Sequence, residues 1–234
     1  MARLNVDEVV RIVRGFYATP DTAVVEGALA KIFSSPKEWL GDPESVCVRL
    51  LVIDSAYNSN LRYFKARLPA TRVIARNAGR IMSTVDSRGN NAEEIGRLLG
   101  HLVAETASEG AAANVPSAIS KFLHFVGPEV FPIWDNFALK SWRSVLKEAK
   151  SLGCSIPGEV HVSASADWST NYTGLVNFYR WLIDSLMGPD DRAKMEKVAR
   201  ETPAKTLLAV LDKAFWAAGG GVLHAGDGMR WLLP

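Results

Sequence analysis

Val115-Pro-Ser-Ala-Ile-Ser-Lys-Phe-Leu-His-Phe-Val-Gly-Pro-Glu-Val-Phe-Pro-Ile-Trp-Asp-Asn-Phe137 reads as a turn, a short apolar helix, a proline-punctuated turn and the start of another helix. Lys121 follows the turn made by Asn114, Val115, Pro116 and Ser117, which places it in the first turn of a helix continuing through Phe122, Leu123, Phe125 and Val126. Asp135 comes after Gly127, Pro128 and Pro132 and directly before a second helical run. Two helix starts are thus supplied with one amine and one carboxylate. The positive end of a helix dipole repels an ammonium by a few tenths to about 1 kcal/mol, and a neutral amine can attack an electrophilic carbon. Asp135 would then stabilise the developing positive charge or relay protons. Each residue also has an ordinary reading, Lys121 as a solvated surface lysine and Asp135 as the oxygen acceptor that an N-cap requires.

Outward from this stretch the pattern is helical in both directions. Asn5 before Val6-Asp7-Glu8 is a helix-start signal, and Val6, Val9, Val10, Val13, Phe16 and Tyr17 recur at helical spacing until Thr19-Pro20. Asp21-Thr22 starts a second helix, and Asp42-Pro43-Glu44 a third, because proline is tolerated at the first helical position and acids suit the dipole. Between Ser55 and Val85, a stretch in which Pro69 reads as a break in the helical pattern, stand six basic residues and no acid. If 70–85 is one helix, Arg72, Arg76 and Arg80 form a stripe of like charges that an anionic partner would relieve; a solvated face is the alternative. Residues 92–107 form a further amphipathic helix. Past Asp135, Phe137, Leu139, Trp142, Val145 and Leu146 turn inward, while Lys140, Arg143, Lys147 and Lys150 make a second basic stripe. The segment 151–169 reads as a loop, Asn171 to Met187 as an aromatic-rich helix, and Pro189 and Thr202-Pro203 open two more. The expectation is a compact all-α protein of nine to ten helices over residues 1–234.

Composition narrows the function classes. At 234 residues and 48% hydrophobic content the chain can bury a sizeable core, and it has no apolar run of membrane-spanning length and no secretory h-region. An intracellular protein, cytoplasmic or nucleoid-associated and monomeric, is expected. Two cysteines, Cys47 and Cys154, cannot build a disulfide framework or an iron–sulfur site. The four histidines are widely separated and show no zinc spacing, so no metal and no cofactor is expected. The Gly-rich tail from Gly219 matches neither phosphate-binding glycine motif. A net charge of +2 is too small to argue for nucleic acid by itself.

The order of turn, Lys121, short apolar helix, Pro128-Glu-Val-Phe-Pro-Ile-Trp-Asp135 and helix resembles the helix-hairpin-helix DNA glycosylases, especially their 8-oxoguanine DNA glycosylase-like branch. The likeness spans residues 45–150 in element order, with the hairpin at 114–121. It implies an all-α fold of two lobes with a cleft between them, and double-stranded DNA as partner. It also implies excision of a damaged purine through a lysine Schiff base, with β-lyase chemistry possible from that intermediate. Lys121 takes the nucleophile's position and Asp135 the aspartate's. Tyr57-Asn58-Ser59-Asn60-Leu61 is similar to the Asn-rich junction that such enzymes push into the space left by a flipped base, with Asn58 and Asn60 as the wedge. Arg62, Arg72, Arg76, Arg80, Lys140 and Arg143 then face phosphates, and His124 and Trp134 line the base pocket. Ser117 and Ile119 stand where the family keeps glycines, so the alternative is a non-catalytic DNA-binding or protein-interaction module on the same fold.

Overall fold

The helices begin where the sequence supplies caps. Asn5 Oδ1 accepts from the Glu8 amide at 3.3 Å to start α1 (Val6–Tyr17), and Asn91 Oδ1 accepts from the Glu93 amide at 2.9 Å to start α7 (Ala92–Ser108). Between them lie α2 (Pro20–Ile32), α3 (Pro36–Trp39), α4 (Pro43–Tyr57), α5 (Arg67–Arg76) and α6 (Ala78–Asp86). After them come α8 (Pro116–Val126), α9 (Asn136–Ser151), α10 (Trp168–Ser185), α11 (Pro189–Glu201) and α12 (Leu207–Trp216), which runs on into a π-helical turn at Ala217–Gly221. The computed structural model describes residues 2–57, 59, 61–62, 65–113, 115–161, 167–221 and 229–234. Among these the protein is all-α, with twelve α-helices and one pair of two-residue strands, β1 (Arg3–Leu4) and β2 (Leu232–Leu233), antiparallel to each other. No described helix is long and apolar enough to cross a membrane.

Three boundaries differ from the sequence expectation. The helix expected over 70–85 is two helices that break at Asn77, where φ is −94° and ψ 10° and the side chain bonds back to the Val73 carbonyl at 2.8 Å. Pro69 does not break α5, because it lies in the first turn, where the missing amide has no helical partner to lose. The last helix begins at Leu207 and not at Thr202-Pro203; Thr206 caps it, its hydroxyl accepting from the Ala209 amide at 3.1 Å.

The chain divides into two compact units. The first comprises Met1–Gly27, Trp134–Ser163 and Asn177–Pro234, the second Ala28–Ile133 and Ala164–Val176. In the second unit, α4, α5, α7 and α8 pack around Leu50, Ile53, Val73, Ile74, Leu98, Leu99, Ile119 and Phe122. Phe33, Trp39 and Phe122 meet edge to face, with ring centroids 5.3 to 6.0 Å apart. Gly96 and Gly100 let α7 approach the start of α10: a Cβ on Gly96 would lie 2.6 Å from the Ser169 carbonyl oxygen. In the first unit, α1, α9, α11 and α12 enclose Val9, Val13, Trp142, Tyr179 and Phe215.

Candidate functional site

Helix α8 is buried almost all round: Ala118, Ile119, Ser120, Phe122, Leu123, His124 and Val126 are all in the core of the second unit. A helix of that kind has no solvated face for a charged residue. Lys121 is nonetheless its sixth residue and only 4% exposed. The sequence placed this lysine in the first turn. The helix starts earlier, because Pro116 with its fixed φ is itself the first helical residue, so Lys121 falls in the second turn and its backbone lies beyond the reach of the terminal dipole. The side chain recovers part of that distance by folding back along the helix, as side chains at i and i−4 share a face. Its Nζ donates to Ser117 Oγ at 3.1 Å and lies 5.3 Å from the centre of the Tyr57 ring at the end of α4.

The turn after α8 is pinned twice from within the same unit. His124, 3% exposed, donates from Nδ1 to the Phe131 carbonyl at 2.8 Å, and the Tyr172 hydroxyl of α10 donates to the Pro132 carbonyl. His124 is therefore fixed by the turn it supports. Gly127 is required at its place, since a Cβ would come within 2.7 Å of Val85 Cγ2.

The chain enters the first unit at Trp134, which is buried beside Trp142 with ring centroids 5.8 Å apart. Asp135 follows as the N-cap of α9, extended at φ −145° and ψ 139°. Its Oδ1 accepts from the Phe137 amide at 2.8 Å, and the residue is 6% exposed. A carboxylate there is favoured by the amide dipoles of α9. Lys140 and Arg143 point outward from the same helix and carry no ion pair with another described residue.

The basic stripe of α5 and α6 is not a continuous anion surface. Arg72 Nε lies 2.8 Å from Glu109 Oε2, and Arg76 reaches both Glu109 and, at 3.0 Å, Glu105. The anionic partner that these like charges call for is thus supplied by α7 and the residue that follows it. Hydrogen bonds from Arg76, and then from Arg72, hold the Glu109 carboxyl below its ordinary range. Arg80 sits on α6, past the break at Asn77, and it and Arg62 are exposed with no ion pair to a described residue. Asn58 and Asn60 lie outside the described residues.

Sequence reading missed a second set of buried polar groups, in the first unit. Lys213 Nζ and Glu26 Oε1 are 2.6 Å apart, with side chains 5% and 7% exposed. Next to Lys213 in the chain, Asp212 accepts from the Tyr179 hydroxyl, which in turn accepts from Trp142 Nε1 at 3.1 Å. The signal was present: Asp212-Lys213 is a charged pair in the middle of the otherwise apolar Leu-Leu-Ala-Val-Leu-Asp-Lys-Ala-Phe-Trp run. A shallow depression of about 170 Å³ lies between α9 and the π-helical turn, lined by Lys140, Ser144, Gly219 and Met229 among others.

Comparison with protein-family models, with curated proteins and with solved structures finds no match for this chain.

Proposed function

We propose that this protein is a DNA base-excision glycosylase of the helix-hairpin-helix kind, with Lys121 as nucleophile and Asp135 as its acidic partner. The observation that supports the reading is a buried lysine, on a helix covered almost all round, held against a serine hydroxyl and an aromatic ring. Burying an ammonium costs several kcal/mol, and Leu or Met at the same place would pack without that cost. Lys213, also buried, pairs with Glu26 in the first unit.

In this reading a damaged purine such as 8-oxoguanine leaves the stack at a cost of about a few kcal/mol. Lys121 Nζ bonds to the sugar C1′ as the glycosidic bond breaks, and its electron pair departs with the base, which takes up a proton. The C1′–O4′ bond then opens, O4′ takes a proton from the nitrogen, and a protonated imine remains. Hydrolysis of the imine restores the amine; β-elimination from it nicks the strand. The role proposed for Asp135 is to balance the positive charge that develops at C1′. Lys140, Arg143, Arg80 and Arg62 supply the phosphate contacts, and Arg72 and Arg76 are held by their glutamates.

The test is borohydride trapping on a duplex with one 8-oxoguanine or one abasic site. The wild-type chain is expected to form a covalent adduct and Lys121→Gln to form none. Equal trapping by the two excludes Lys121 as the nucleophile. Salt-dependent duplex binding without any lesion chemistry supports instead a non-catalytic DNA-binding module.

A further inference from the structure

We infer that Ser117 is a positioning residue of the Lys121 amine, an inference that rests on the function proposed above. Ser117 and Lys121 are four residues apart on α8, so the lysine stem lies along the helix with its Nζ over the serine. Three features make this a built arrangement. The Nζ to Oγ distance is 3.1 Å, that of a formed hydrogen bond. The Ser117 carbonyl is itself engaged, accepting from Ser120 Oγ at 3.1 Å, so the turn carrying the hydroxyl is tied down. Tyr57, from α4, places its ring 5.3 Å from the same nitrogen, and α4 packs directly on α8.

A lysine has four rotatable bonds and loses up to about 2 kcal/mol of rotamer entropy when fixed. An amine that must meet C1′ in line gains rate when that freedom is removed before the substrate arrives. A hydroxyl suits the task in both charge states of the amine. It accepts one N–H of the ammonium, and it still accepts one N–H of the neutral amine, leaving the lone pair for the electrophile. A carboxylate in its place would hold the ammonium more tightly and oppose loss of the proton. Tyr57 closes another side of the nitrogen with a π-face, which attracts the cation without binding its lone pair.

Ser117→Ala and Ser117→Thr separate this role from a structural one. Single-turnover adduct formation is measured with borohydride on a duplex bearing one 8-oxoguanine, alongside duplex affinity and the urea midpoint. Ser117→Ala is expected to slow adduct formation about ten- to a hundredfold, the loss of one hydrogen bond to a charged group, with affinity unchanged and the midpoint lowered because the buried amine loses an acceptor. Ser117→Thr, which restores the hydroxyl, is expected to return the rate to within about threefold of wild type. An active wild type together with a Ser117→Ala variant of equal rate overturns the positioning role and leaves the nucleophile standing. A threonine variant as slow as the alanine one, with unchanged midpoint, also overturns it. A wild type that traps no lesion and no abasic site overturns the proposed function, and the positioning role falls with it.

Discussion

Replacing Lys213 by Met removes half of an ion pair whose two side chains are 5% and 7% exposed and whose charged atoms lie 2.6 Å apart. The Glu26 carboxylate is then left in the core, and its cheapest escape is to take up a proton. For a glutamate of ordinary acidity that costs about 3.7 kcal/mol at pH 7 and about 1 kcal/mol at pH 5. The mirror variant, Glu26→Gln, takes the carboxylate away from the ammonium, and neutralising a lysine costs about 4.6 kcal/mol at pH 7 and about 2 kcal/mol at pH 9. Both figures agree with the roughly 3–5 kcal/mol seen when one partner of a buried pair is lost. The two single variants are therefore expected to be similarly destabilised at pH 7 and to respond oppositely to pH. Lys213→Met recovers toward pH 5, and Glu26→Gln recovers toward pH 9. Lys213→Met/Glu26→Leu removes both charges and is expected to regain most of the loss. Urea unfolding of the four proteins at pH 5, 7 and 9 reads all of this, referenced to wild type at each pH. Destabilisation below about 1 kcal/mol at pH 7, or losses that do not change with pH, would show that the pair does not act as two buried charges.

Tyr17 Oη is buried with no hydrogen-bond partner among the described residues, so Tyr17→Phe is expected to raise stability by about 1 kcal/mol in urea unfolding. Burial, and then the nearby Glu26 carboxylate, pushes the pKa of this phenol up, making it a weaker acid. Its folded value thus exceeds the unfolded one of about 10, so its contribution is intact below that pH and is lost as pH climbs above it; the Phe variant should lack that part of the alkaline fall. Gly96→Ala and Gly100→Ala each drive a Cβ into Ser169 backbone atoms, at 2.6 and 2.8 Å, and are expected to cost about 1–3 kcal/mol or more, read as a lowered urea midpoint. Glu109→Gln weakens the hold on Arg72 and Arg76 and is expected to tighten duplex binding and steepen its log–log salt slope by about 1 to 2, measured by anisotropy titration. The folded Glu109 carboxyl is more acidic than in the unfolded chain, so its contribution to stability holds above its unfolded value and fades as pH falls below it.

The local signals in the chain translate well into structure. Asn5 and Asp135 cap the helices that they precede, because a side-chain oxygen followed by an apolar-periodic run has few other uses. Apolar spacing identifies the inward faces of α1, α7 and α9 for the same reason. What stayed hidden involves distant partners. Nothing near Arg72 or Arg76 in sequence shows that Glu105 and Glu109, some thirty residues on, neutralise them, and a stripe judged alone looks like an anion surface. Glu26 and Lys213 are 187 positions apart, and β1 and β2 join the two ends of the chain. The break at Asn77 carries no proline or glycine, and it moves Arg80 off the helix of its supposed stripe. Lys121 was singled out by its neighbours, but the first-turn dipole argument did not carry over. The folded-back side chain bonded to Ser117 takes its place.

Lys121 Nζ is proposed as the atom that bonds to the sugar, and mapping the adduct tests this directly. The borohydride-reduced complex with an abasic-site duplex is digested with protease and nuclease, and the modified peptide is sequenced by mass spectrometry. A deoxyribose remnant is expected on Lys121, in the peptide spanning α8, and on no other lysine. A remnant on Lys213 or on surface lysines such as Lys140, or an unmodified Lys121 in a trapped complex, would contradict it.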